Sequence, residues 1–166
     1  MIQRVQTLWL VFIIIVSVAS FFFPLATFSF EFKSETTVQQ YGLLKPQQTI
    51  DDATQFVQVS NAWSLVFLQG GIILIALVSI FLYKNRPLQI KIVSAGVLLL
   101  AIYIAVAIFV KIDGLEKQIA QLYSQPVVSY NKISLLLPLL QLGLFMLAQR
   151  AIKKDERLVK SSDRLR

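Results

Sequence analysis

Four stretches of the chain are almost free of charge. The first runs from Val5 to Phe30 and is densest from Leu8 to Phe28. The second has its apolar core from Trp63 to Tyr83, the third covers Ile92 to Val110, and the fourth covers Ile133 to Gln149. A helix rises about 1.5 Å per residue, so about 17 to 25 apolar residues cross a hydrocarbon core. All four stretches qualify, the fourth at the short limit. Each is apolar all round rather than striped, which disfavours a soluble helical bundle. The expected fold is all-α and integral to a membrane. It has four transmembrane helices, over about 5–28, 63–83, 92–110 and 133–149, in an antiparallel bundle forming one domain over 1–166.

Between the spans the pattern changes. Phe28, Phe30 and Phe32 alternate with Ser29, Glu31 and Lys33, and a period of two suggests a short strand. Tyr41-Gly42 and Lys45-Pro46 are turn material. Asp51-Asp52 suits the start of a helix running through Phe56 and Val59 into the second span. A β-hairpin or a strand–turn–helix cap fits this first outer segment, as does a plain connector resting on lipid with its Phe residues and Trp63. In the second outer segment, Asp113-Gly114 and Gln125-Pro126 bracket a helical stretch over Leu115–Tyr123. It reads as an interfacial extension of the third helix, with Tyr123 and Tyr130 at the interface. A cleaved signal peptide is the weaker reading of the first span. Its apolar region is too long, and Pro24 stands three residues before a cut after Ala26.

Composition supports the membrane reading. Apolar residues make up 56% and charged residues 15% of the 166, and mean hydropathy is +0.68, whereas a soluble chain carries about 25% charged residues. The chain has no Cys and no His. That removes disulfides, thiolate chemistry, Cys/His zinc sites and Ser-His-Asp catalysis. No cofactor is expected, and adjacent Asp51-Asp52 is a weak cation signal. An enzyme is not expected, since only interfacial carboxylates such as Asp51, Asp52, Asp113 and Glu116 remain for acid–base work.

The net charge of +7 is unevenly placed. With four spans both termini share one side. That side carries Arg4, then Lys84, Arg86 and Lys91, then seven basic residues from Arg150 to Arg166. The other side carries Lys33, Lys45, Lys111, Lys117 and Lys132. Eleven against five places both termini and the 84–91 loop in the cytoplasm by the positive-inside rule. The basic excess is thus a topology signal, and nucleic acid is not an expected partner.

No Asp, Glu, Lys or Arg lies within a span, which disfavours proton-coupled transport and voltage sensing. The polar residues at depth are Ser17, Ser20, Gln69, Ser79, Ser94 and Gln141. Gln69 and Gln141 are the costliest to leave unpaired, and interhelical hydrogen bonding is their favoured role over a substrate site. Gly70, Gly71, Ser94, Gly96, Ala101, Ala105 and Gly143 are candidate close helix contacts, and Pro138 is a candidate kink.

The tail Arg150–Arg166 continues the fourth span as a basic helix. Glu156 and Lys160 form a favourable i,i+4 pair, and Ile152, Leu158, Val159 and Leu165 form a broken apolar face. Such a helix suits anionic phospholipid headgroups or a cytoplasmic or membrane protein partner. The candidate contact residues are Lys84, Arg86, Lys91, Arg150, Lys153, Lys154, Arg157, Lys160, Arg164 and Arg166.

Three segments carry a family resemblance. They are the start Met1-Ile2-Gln3-Arg4-Val5-Gln6-Thr7, the exit of the second span from Phe81 through Lys84-Asn85-Arg86-Pro87 to Lys91, and the ending Leu147 to Arg166 with its Lys153-Lys154-Asp155-Glu156-Arg157 core. Over the whole chain the sequence resembles an uncharacterised family of small four-span bacterial inner-membrane proteins, catalogued as a domain of unknown function. The resemblance implies the bacterial inner membrane and no activity. The expected role is an interaction, scaffold or accessory protein acting through the basic cytoplasmic face. The alternative is a subunit of a small oligomeric transporter or channel.

Overall fold

The computed structural model describes residues 3–32, 35–43, 62–122 and 127–163. Helix α1 (Gln3–Ala19) leads into strands β1 (Ala26–Phe32) and β2 (Glu35–Tyr41). Helix α2 (Trp63–Phe81) ends in a 3-10 turn over Leu82–Lys84, and α3 (Arg86–Ala105) follows at once. A π-helical segment, Val106–Ile112, joins α3 to α4 (Asp113–Leu122) without a break. Strand β3 (Val127–Tyr130) precedes α5 (Lys132–Asp163), a single helix of 32 residues. Three helical stretches are long and apolar enough to cross a membrane: Trp63–Lys84, Arg86–Lys117 and Lys132–Val159.

The helices pack as neighbours in a closed square. Helix α1 lies against α2 and α5, and α3 lies against the same two. One spacing organises all four inner faces. The buried positions are Gln6, Leu10, Ile13, Ser17 and Ser20 on α1 and its exit, and Leu65, Gln69, Ile72, Ala76 and Ser79 on α2. On α3 they are Gln89, Val93, Gly96, Leu100 and Tyr103. On α5 they include Ser134, Gln141, Phe145, Ala148, Ile152 and Asp155. Steps of four and three alternate throughout, which is the 3.5-residue repeat that keeps one seam facing its neighbours along a helix. The outward faces carry Leu, Ile, Val and Phe, such as Phe12, Phe67, Leu74, Leu98 and Leu136. Polarity is therefore inverted: the seams hold the Gln and Ser residues, and the outside is apolar.

Helix α1 is shorter than the 5–28 span expected from hydropathy. Its bonding tightens after Ser20, whose N–H donates to Val16, because Phe21 and Phe22 bond back three residues, to Val18 and Ala19. Pro24 then offers no N–H and disfavours helix at Phe23, and the alternating residues beyond it form β1. The sheet has the order β2-β1-β3, antiparallel throughout, with Ala26 paired to Tyr41 on one side and to Tyr130 on the other. The alternation over Phe28–Phe32 falls on β1, and Lys33 lies outside the described residues. The helical stretch expected in the second outer segment falls on α4, which continues α3 and runs to Leu122; no strand is expected after it from the sequence, and Val127–Tyr130 joins the sheet as β3. Turn material at Lys45-Pro46 and Gln125-Pro126, the Asp51-Asp52 helix start with Phe56 and Val59, and Tyr123 lie outside the described residues.

The sheet sits directly on the helices. Leu25 N–H donates to Tyr41 O at 2.6 Å, Asn131 N–H donates to Leu25 O, and Ser134 Oγ donates to Pro24 O. Leu25, Ala26, Tyr41 and Leu43 are buried in the same core as Leu65, Leu100 and Phe145. The opposite end of the molecule holds the 82–86 turn and the C-terminal part of α5, and is termed the basic end below. Asn85 caps α3 there, accepting Leu88 N–H on its side-chain oxygen, with Pro87 in the first turn.

Close helix contact falls on fewer of the small residues than their number suggests. A Cβ on Gly96 would meet Phe145 Cε1 at 2.7 Å and Ile75 Cγ2 at 3.0 Å, and one on Gly71 would meet Leu99 Cδ2 at 3.0 Å. Gly70 and Gly143 have open space where a Cβ would stand. Ala101 and Ala105 are exposed and make no close seam, because they lie off the line through Gly96, Leu100 and Tyr103. Helix α5 continues through Pro138 as one element.

Candidate functional site

Two polar layers lie in the apolar interior, and both originate at helix ends. The last carbonyls of a helix have no partner within it. Where α1 tightens, Ser17 O takes hydrogen bonds from Ser20 Oγ at 2.7 Å and from Gln69 Nε2 of α2 at 3.3 Å. Gln141 Nε2 of α5 reaches Ser17 Oγ at 3.3 Å. Thus Gln69 and Gln141 meet at one serine, and three helices are tied together. The same device recurs at the end of α2, where Gln89 Nε2 of α3 donates to Ser79 O at 2.8 Å. In each case the third-last residue of the helix is a serine whose carbonyl is capped by a glutamine of the next helix. Gln149 Nε2 adds a cross-link to Ser94 Oγ at 2.7 Å between α5 and α3.

Tyr41 and Tyr103 are buried with hydroxyls that find no partner among the described residues. Burial pushes the Tyr41 phenol from 10.0 up to about 12, because the phenolate loses its hydration.

At the basic end, α5 presents two different faces. Its inner face buries Ile152 and Asp155. Asp155 Oδ2 lies 3.0 Å from Arg86 Nη2, and Arg86 Nη1 also donates to the Asp155 carbonyl at 3.4 Å. The pair joins the start of α3 to the tail, with side chains only 19% and 9% exposed. Its outer face carries Arg150, Lys153, Lys154 and Arg157. With Leu158 they line an open groove of about 450 Å³. Steps of three, one and three place four cations on one side of two helical turns. Asp155 is turned away from them, so the charged side chains that line the groove are all positive.

The candidate contact residues therefore divide. Arg150, Lys153, Lys154 and Arg157 converge on one groove. Arg86 is committed to Asp155 and is a structural link. Lys84 stands 6.0 Å from the centre of its neighbour Tyr83's ring, and Lys91 is exposed on α3. The Lys160 side chain, and with it the Glu156–Lys160 pair, lies outside the described set, as do Leu165, Arg164 and Arg166. Three contributors escaped the sequence reading: Gln89, Gln149, which was counted only as the end of the fourth span, and Asp155. Gln89 was legible as an uncharged polar residue seven before Gly96 on the same seam. Asp155 was hidden among charges, and its signal is its place on the seam through Gln141, Ala148 and Ile152.

These features describe a small helical protein with an apolar outside, glutamine-capped helix ends inside and a cationic helix face at one end. The chain belongs to the family described as Domain of unknown function (DUF4293), which it matches over residues 2–165. No match to the chain is found among curated proteins.

Proposed function

We propose that the protein is a four-span integral protein of a bacterial inner membrane, with both termini in the cytoplasm. It acts as an interaction or accessory protein through its basic end. The observation that carries this reading is the groove of Arg150, Lys153, Lys154 and Arg157, held on a helix whose other face is fixed by the Arg86–Asp155 pair. The inverted polarity of the helices and the eleven-to-five division of basic residues support the topology. The transporter alternative needs Gln69 and Gln141 to line a path, whereas both donate to Ser17 and close the seam.

The absence of native cysteine makes the test direct. Single variants Ser129→Cys at the sheet end and Lys153→Cys at the basic end are labelled in intact cells with a membrane-impermeant maleimide. Labelling of Ser129→Cys alone is expected. Labelling of both, or of Lys153→Cys alone, refutes the topology. For the role, crosslinking in cells compares the intact protein with a variant carrying alanine at Lys153, Lys154, Arg157 and Lys160. Identical crosslinks and unchanged phenotype at equal protein level refute the basic end as the working surface.

A further inference from the structure

The cationic groove is the lower half of a longer feature. Leu136, Leu139, Leu140, Gly143, Met146 and Leu147 are all exposed on α5. They lie on the same side of the helix as Arg150, Lys153, Lys154 and Arg157, following the i, i+3, i+4, i+7 rule. One exposed face of α5 is thus apolar first and cationic afterwards, with no acidic side chain in it. From Leu136 to Leu147 the apolar part is about 16 Å long, close to half of a hydrocarbon core of about 30 Å. Arg150 stands about 27 Å along the helix from Lys132, at the depth where hydrocarbon gives way to headgroups. Gly143 leaves a shallow notch midway, since nothing lies within 4 Å of where its Cβ would stand.

We propose that this face binds one anionic phospholipid of the inner leaflet. An acyl chain lies over Leu139, Leu140, the Gly143 notch and Met146, and the phosphate lies among Arg150, Lys153, Lys154 and Arg157. A soluble protein ligand would match the cations and leave the apolar strip unused, whereas an anionic amphiphile matches both in the right order. Arg side chains grip phosphate oxygens in a fork, and the lysines add mobile charge. The Arg86–Asp155 pair removes the nearest buried carboxylate from the field of the groove. The proposal rests on the membrane topology above and names the occupant of its basic end.

The test is native mass spectrometry of the full-length protein released from nanodiscs. Phosphatidylglycerol is the probe, phosphatidylcholine the neutral lipid, and glycerol phosphate the headgroup without chains. One phosphatidylglycerol is expected to be retained in preference to phosphatidylcholine, with no displacement by glycerol phosphate. Lys153→Gln/Lys154→Gln lowers retention by about tenfold to thirtyfold, at about 1 kcal/mol per basic residue. Gly143→Phe fills the notch and lowers retention severalfold, while Gly70→Phe, equally free of internal contacts but on α2, does not. Equal retention of the two lipids overturns the proposal, as does unchanged retention in Lys153→Gln/Lys154→Gln or Gly143→Phe. Displacement by glycerol phosphate overturns the lipid as the source of the phosphate. Resistance of each variant to alkaline extraction from membranes is measured alongside. Loss of wild-type protein in that extraction marks failure of the topology itself, whatever the lipid result.

Discussion

Replacing Gly96 by alanine tests the packing of the helical square at its tightest point. In an exposed helix interior the exchange favours alanine by about 0.5–1 kcal/mol, since glycine has more backbone freedom to lose. At Gly96 the added methyl meets two ring carbons of Phe145, at 2.7 and 3.0 Å, and Ile75 Cγ2 at 3.0 Å. Phe145 is fully buried and cannot swing aside. Overpacking of this kind costs about 1–3 kcal/mol, so the steric term wins and Gly96→Ala loses about 1 kcal/mol net. For a chain of this size that lowers the midpoint of thermal unfolding by about 2–4 °C. Gly70→Ala and Gly143→Ala meet nothing and are expected to raise it by a similar amount. Gly71→Ala falls between, because its one close neighbour is a terminal methyl of Leu99. The assay is intrinsic-fluorescence melting in detergent, with all four variants side by side. Phe145→Leu, added to Gly96→Ala, frees the space and makes the double variant more stable than the two losses together imply. A rise in Gly96→Ala matching that in Gly70→Ala would refute the reasoning.

Three further outcomes follow from the polar contacts. Arg86→Ala strands a nearly buried carboxylate and destabilises by about 1–3 kcal/mol, and adding Asp155→Ala recovers part of it. A double-mutant cycle by chemical unfolding measures the coupling, and a value of zero removes the pair as a link between α3 and α5. Gln69→Leu deprives the α1 carbonyl of its interhelical donor and costs about 0.6–2 kcal/mol, whereas Gln69→Glu costs more because it sets a buried, acceptor-only carboxylate against the Ser17 carbonyl that the amide had donated to. Equal melting of the two variants contradicts the capping role. The Tyr41 phenol is neutral when folded up to about pH 12 but ionises near 10 when exposed. Its contribution to stability is present in full below pH 10 and is lost as pH rises toward 12. The Tyr41→Phe variant should show a flatter decline over that window, and identical curves would exclude it.

Hydropathy reads the order of the four long helices from the apolar runs, and their ends less well. It does not read which face turns inward, because the outer face is as apolar as the inner one. The inward direction is carried instead by the few polar residues. Gln6, Ser17 and Ser20 fall on one seam of α1, and Ser134, Gln141 and Asp155 on one seam of α5, at multiples of about 3.5. Read as costly exceptions they mark isolated sites; read by spacing they give the register of the square. The early end of α1 was masked by Phe21–Phe23, which extend the apolar run past the point where Pro24 stops the helix. Strand β3 has only Val127-Val128 as a local signal, and its partner strand lies about a hundred residues away, so no window along the chain could pair them. The cations of the groove were plain in the sequence. Their separation from Arg86, which a buried aspartate claims, depends on the rotation of α5 about its axis.

The order of the sheet sets a schedule for assembly. β1 and β2 are neighbours in the chain and can pair as soon as both have left the ribosome. The other edge of β1 pairs with β3 across the span from Ala26 to Tyr130. At about 5–20 residues per second of synthesis, that edge stays open for roughly 5–20 seconds. For that interval the hairpin has a free row of backbone donors and acceptors, the condition under which strands pair with the wrong neighbour. The interval ends when Val127–Tyr130 arrives, just ahead of α5. Completion of the sheet and arrival of the last helix are therefore one late event, and a nascent chain halted after α3 is left with an unsatisfied strand.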